Sequence, residues 1–232
     1  MKKDILPTAA ALLVCAALLG VPALWARLSD ARRLNTVHPR PVLAGALDEE
    51  ARAIPVLYEL HSGASDASSA EAEELPEPDL AGLCAEAAEP VAALADAGVI
   101  SAGEKAQLDA LLAQSPLQYY RHNSEALQNL SLIWSRQAAM ATTAAIHLSR
   151  QAATGVYVSF VLSVGGDLDA ETRLRAWLVL LGVDVLDDWE PVDTGSYADT
   201  FALYSAKGQA TAYCTAAADW VNLQLSKGSL TF

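Results

Sequence analysis

The sequence predicts an α+β protein: one N-terminal transmembrane helix, then a helical hairpin packed on an antiparallel β-sheet, with a β-β-α-β-β-like C-terminal portion. Three observations lead there. Residues 5–26 form an apolar run without a charge. Between residues 80 and 114, apolar side chains recur every three or four positions, the period of a helix face. After Pro116 that period gives way to two-residue alternation, interrupted by one further helical stretch at 170–181.

The apolar run, ILPTAAALLVCAALLGVPALWA, is roughly 22 residues long, enough for a helix to cross a hydrocarbon core of about 30 Å. Pro7 falls in the first turn, where its missing N–H is harmless. Trp25 and Arg27 stand where an interfacial anchor belongs. Residues 1–28 therefore read as a signal anchor. The run exceeds the apolar region of a cleaved signal peptide, although Ser29 and Ala31 would suit a cleavage site. Orientation has two readings. Arg27, Arg32, Arg33 and Arg40 would hold the large domain in the cytoplasm by the positive-inside rule. The short Lys2-Lys3 start fits a signal anchor that exports it, because large domains translocate with limited regard to charge. The extracytoplasmic orientation is the expectation.

Residues 29–46 read as a juxtamembrane linker, broken by Pro39, Pro41 and Gly45. Residues 47–115 read as a helical region. A short helix over 48–60 would carry Glu49 and Glu50 at its positive end and be interrupted at Pro55. The stretch 63–79, GASDASSAEAEELPEPD, has six acidic residues, no basic ones and little bulky apolar surface, the composition of a disordered acidic loop. Next, Leu80, Leu83, Cys84, Ala87, Val91 and Leu94 share one helical face, with Pro90 expected to split the run and Gly98 to end it. Ser101-Ala-Gly-Glu104 is a capping box, in which the serine hydroxyl and the glutamate carboxylate each bond the other's backbone N–H. Leu108, Leu111 and Leu112 continue the buried stripe.

Residues 116–232 read as an antiparallel α+β domain. SLIWSRQ is a short β-prone segment. Strands at 145–149 and 156–163 flank a turn at Ala153-Thr154-Gly155, with Val156, Val158, Phe160 and Leu162 on one face. Asp169 caps the helix that ends at Gly182, whose stripe is Leu174, Trp177, Leu178 and Leu181. Three more strands follow, at 200–205, 209–215 and 219–226. In the last, Val221, Leu223 and Leu225 alternate with Asn222, Gln224 and Ser226, which predicts a sheet with one wet face.

Net charge is −13, with 28 acidic and 15 basic residues. The first 28 residues hold Lys2, Lys3 and Arg27 against Asp4, which leaves about −15 for the remainder. Such a domain repels a phosphate backbone, so no nucleic-acid partner is expected. Of the cysteines, Cys15 lies in the apolar run, and Cys84 and Cys214 are expected to be buried free thiols, with a single bridge in an oxidising compartment as the alternative. His38, His61, His122 and His147 share no metal-ligand spacing, and no metal or cofactor is expected. No G-x-S-x-G, G-x-G-x-x-G or Walker loop is present. Trp134, Trp177, Trp189, Trp220, Tyr119, Tyr120 and Tyr213 are spaced for core or sheet-surface packing.

The densest acidic group beside an aromatic is Asp184, Asp187, Asp188, Trp189 and Glu190, expected in a loop after Gly182. Paired carboxylates of this kind can bind a hard cation or transfer protons. Asp184, Asp187, Asp188 and Trp189 are therefore the candidate ligand-binding residues. The functional expectation is a single-pass, membrane-anchored, non-catalytic extracytoplasmic module with accessory, interaction or sensory character. It would contact the lipid bilayer through residues 5–26 and a protein or envelope partner through the domain. The alternative is an extracytoplasmic hydrolase in which one of those aspartates faces a His or Ser.

Overall fold

Eight strands form one antiparallel sheet, in the order β1-β2-β3-β4-β8-β7-β6-β5. They are β1 (Gln118–Asn123), β2 (Leu127–Ile133), β3 (Ala145–Gln151), β4 (Tyr157–Leu162), β5 (Trp189–Pro191), β6 (Thr200–Ser205), β7 (Ala210–Ala216) and β8 (Val221–Lys227). The computed structural model describes residues 47–62, 79–134, 144–195 and 199–230. These lie within one contact unit, Pro41–Phe232. The expected span at 5–26, the linker at 29–46 and all of the acidic loop but Asp79 lie outside the described residues. Among the described residues, no helix is long and apolar enough to cross a membrane.

The strand order is that of two four-stranded meanders joined along their last strands. β4 meets β8 antiparallel, with Ser159 opposite Gln224 and Leu162 opposite Val221. No sequence repeat accompanies this symmetry of connection.

The helices begin and end where side chains satisfy backbone groups. Asp48 accepts from Glu50 N (3.0 Å) and caps α1 (Glu49–Arg52). Pro55 stops that helix, then serves as first residue of α2 (Pro55–Ser62), where its lack of an N–H costs nothing. Asp79 caps α3 (Leu80–Asp96) through Gly82 N. Both capping-box bonds are present at α4 (Ala102–Leu112). Asp169 caps α5 (Ala170–Leu181), and Gly182, at φ 67°, supplies its left-handed C-cap.

Pro90 departs from expectation: α3 runs through it unbroken. An internal proline costs about 3 kcal/mol through one lost hydrogen bond and a steric clash. Here its ring lies on the same buried face as Leu83, Ala87, Val91 and Leu94. Burial of each large aliphatic side chain contributes about 1.5–3 kcal/mol, which outweighs the proline.

Two strands were not anticipated. β1, QYYRHN, lacks clean alternation, because polar residues stand on both of its faces. β5 arises inside the acidic stretch, so Trp189 and Glu190 belong to a short edge strand rather than a loop. Of the segment SLIWSRQ, residues 131–133 are strand, and residues 135–137 lie outside the described residues. Trp134 follows β2, with its backbone N–H bonded to Ala144 O at 2.8 Å and its Nε1 donating to Gln114 O at 2.9 Å. A bulge at Ser149/Arg150 also pairs Arg150 with Tyr157, not Val158. It turns Tyr157 toward buried Phe160, with ring centroids 5.6 Å apart.

One face of the sheet carries the core. Leu130, Leu132, Ile146, Leu148, Phe160, Leu162, Leu203, Leu223 and Leu225 join Leu83, Val91, Leu94, Leu108 and Trp177 in a single buried cluster. Across it lies one ion pair, Arg173–Glu104, each partner 1% exposed. Arg173 reaches both carboxylate oxygens, and also donates to Val99 O and Leu168 O at 3.0 Å. Glu104 in turn accepts from Ser101 N at 2.7 Å. Burial alone raises the Glu104 pKa, but the Arg173 hydrogen bond, the Ser101 backbone bond and the Arg173 charge together hold it below the usual carboxylate range. A Cβ on Gly166 would collide with this carboxylate, which explains glycine there.

Removing one charge of a buried pair leaves the other uncompensated. Glu104→Ala is expected to destabilise the fold by about 3–5 kcal/mol, whereas Glu104→Leu with Arg173→Met recovers most of that in urea unfolding. Because the folded pKa of Glu104 is depressed, its contribution is complete above the unfolded carboxylate pKa of about 4.3. It disappears as pH falls through the lower folded value. Urea midpoints between pH 3 and 6 should therefore fall with acidity in the native chain, and less in the double variant.

Candidate functional site

Two of the three aspartates singled out from sequence, Asp187 and Asp188, gather on the turn between β6 and β7. Asp188 accepts from Ser205 Oγ (2.6 Å) and from Lys207 N (2.7 Å). Ser205 is fully buried, and its Oγ accepts from Gly208 N at 2.8 Å. Asp187 meets Lys207 Nζ at 2.5 Å, and Glu50 of α1 approaches the same ammonium at 3.2 Å. The hydrogen bond and charge of Lys207 hold the exposed Asp187 below its ordinary pKa, and Lys207 is raised in return. Asp184 is exposed, and no hydrogen bond or ion pair joins it to the described residues. Trp189 is half-buried and donates from Nε1 to Val183 O at 2.9 Å. Asp187 and Asp188 are thus brought together; Asp184 is not.

His61 faces the same turn, its Nε2 3.1 Å from Gly208 O. The His61 ring is not bonded to Ser205 Oγ, whose proton goes to Asp188. Among the described residues, no group of three His, Cys, Asp or Glu side chains could hold a metal ion. Cys84 and Cys214 are buried free thiols. Burial pushes the Cys214 thiol up to about 12, far from nucleophilic use.

A second, larger feature is the sheet face opposite the helices. Strand register sets its side chains in rows. One row runs His122, Asn129, Ser149, Ser159, Gln224, Tyr213, Ala202; the next runs Tyr120, Ser131, His147, Val161, Asn222, Thr215, Thr200. Neither row, from β1 to β6, contains Asp, Glu, Lys or Arg, in a chain of net charge −13. Its groups are hydroxyls, amides and two imidazoles.

These groups bond along the face. His147 Nδ1 lies 2.8 Å from Ser131 Oγ, Thr200 and Thr215 hydroxyls lie 2.9 Å apart, and Tyr213 donates to Gln224 Oε1 at 2.5 Å. Burial lowers the pKa of His147, favouring its neutral form. Asn222 Oδ1, near the centre, is shielded and accepts no hydrogen bond from the described residues. Sequence reasoning reached this face at β8, where polar and apolar residues alternate, and in part at β4, whose alternation buries one side. Its extent depends on pairings that no local pattern states.

No family model matches the chain, and no curated protein or solved structure matches it either.

The turn geometry predicts distinct effects for neighbouring aspartates. Asp188→Ala strands the Ser205 hydroxyl and the Lys207 N–H, and should cost about 1–3 kcal/mol in urea unfolding. Asp187→Asn, at an exposed pair, should leave the urea midpoint nearly unchanged while lowering the Lys207 pKa toward its ordinary value, read by NMR.

Proposed function

We propose that the chain is a membrane-tethered, non-catalytic recognition module, held by residues 5–26 with its sheet domain outside the cytoplasm. The observation that carries this reading is the uncharged open face. Water solvates a charged surface best, and a protein this acidic has charge to spend on every exposed region. A wide face that excludes it is suited to contact with a neutral, hydrogen-bonding partner, because no ion must be desolvated there.

The proposed partner is an uncharged envelope glycan. Sugar hydroxyls and acetamido groups match the Ser, Thr, Asn, Gln and His groups of the face as both donors and acceptors. Tyr120, 49% exposed at its rim, offers a ring on which a pyranose can stack. The acidic surface elsewhere disfavours anionic polymers. The tether would keep the face near its partner and raise its effective concentration.

Full-length protein in detergent is expected to co-sediment with chitin, a neutral acetamido polymer. Ser159→Glu, which puts a charge at the centre of the face, should weaken capture at least tenfold while leaving thermal unfolding unchanged. Equal capture by an anionic polysaccharide would refute the reading. So would a dimer in sedimentation that the same substitution dissociates, which would make the face a self-interface.

The tether has its own test. Carbonate-washed membranes should retain the chain, and deletion of residues 5–26 should release it. Protease added to intact cells should digest the domain; full protection would reverse the orientation.

A further inference from the structure

On the helix-covered side of the sheet, the apolar rows end abruptly in the first meander. Inward positions Leu132, Ile146 and Leu162, then Leu130, Leu148 and Phe160, are succeeded by Asn123, Gln128, Arg150 and Tyr157. This polar row, with Arg121 and with Glu86 of α3, lines a cleft of about 80 Å³.

The hydrogen bonds within the cleft consume acceptors and leave donors. Arg121 is paired with Glu86, which neutralises both. Arg150 donates from Nε to Gln128 Oε1 at 2.7 Å, so the Gln128 amide keeps its N–H groups. The Tyr157 hydroxyl lines the same cleft within the field of the Arg150 charge, and its own proton remains available. No carboxylate forms an ion pair with Arg150 among the described residues. Among the described residues the cleft therefore holds a half-buried guanidinium without an ion-pair partner, a phenol O–H and amide N–H groups. Apart from Glu86, which is committed to Arg121, the described lining holds no anionic acceptor. Glu86 and Glu89 both act on Tyr157 from α3, yet Glu86 is committed to Arg121 and Glu89 is exposed, where solvent screens it.

The geometry points to a binding site for a single carboxylate group, held by the Arg150 guanidinium with Tyr157 and Gln128 as further donors. Arginine presents planar N–H groups that match the two oxygens of a carboxylate, and charge-assisted bonds of this kind are the strongest available here. The volume admits a carboxylate and a few attached atoms, about the space of three waters. The group would therefore be the head of a small free acid or the C-terminus of a peptide. This site faces away from the uncharged sheet surface and does not depend on the glycan reading.

The test is an NMR titration of the full chain in detergent with sodium acetate, and with chloride at matched ionic strength. Acetate should shift the Arg150 Nε–H and Gln128 amide resonances saturably, with a Kd of about 1 mM. Acetyl-dialanine with a free C-terminus should bind at least as well, and its C-terminal amide should not bind; failure of both peptides with acetate still bound assigns the site to small acids. Arg150→Gln should weaken acetate at least tenfold and Tyr157→Phe roughly threefold, with the amide spectrum of the sheet preserved. Non-saturable shifts, or acetate binding unchanged by Arg150→Gln, would overturn the assignment. Tighter binding of inorganic phosphate than of acetate at the same resonances would overturn the carboxylate class.

Discussion

The Arg173–Glu104 pair is the interaction on which the arrangement of layers depends. Glu104 opens α4 and Arg173 lies in α5, separated by the whole first meander. Their contact ties the helical hairpin to the single helix on the side of the sheet that bears the apolar rows. A hydrophobic contact at that point could slide; a bidentate pair with two further carbonyl acceptors has one geometry. Desolvation offsets most of the attraction in such pairs, so removing one partner costs far more than replacing both. The capping box adds to this, because the carboxylate that meets Arg173 also holds the Ser101 N–H. One residue thus starts a helix and orients it.

The division of chemistry follows the covered side. In the first meander the inner face is apolar apart from Arg121 and the Asn123–Gln128–Arg150–Tyr157 row. The two outer rows from β1 to β6 carry no charge, and the acidic residues of the described region stand on helices, caps, turns and loops, with Glu190 on the edge strand β5. Many have local tasks there: Asp48, Asp79 and Asp169 cap helices, and Asp188 closes the β6–β7 turn. Acidity is therefore partly structural in origin and partly a means of solubility.

Legibility followed the range of the interaction. The caps at Ser101 and Asp169, the stop at Gly182, the break at Pro55 and the turn near Gly155 were readable because each is decided within a few residues. Alternation in β8 revealed one wet face for the same reason. Pro90 misled because the penalty it carries is local while its compensation, packing against the core, is not. β1 and β5 were hidden because edge strands face solvent on more sides and need no apolar period. The carboxylates at 184–188 stood out as a cluster, but which of them meets Lys207 or Ser205 depends on where the β6–β7 turn returns.

By itself, then, the sequence determined the helices, most strands, the acidic surface and an uncharged run at 5–26 with the length of a membrane span. These rest on hydrogen bonds, side-chain periods and charges counted over short stretches. Only the tertiary structure decided the strand order, the union of β4 with β8, the pairing of Glu104 with Arg173, and the charge-free face assembled from seven strands. Those features join residues far apart in the chain, where loop closure and mutual burial, rather than local geometry, choose the partner.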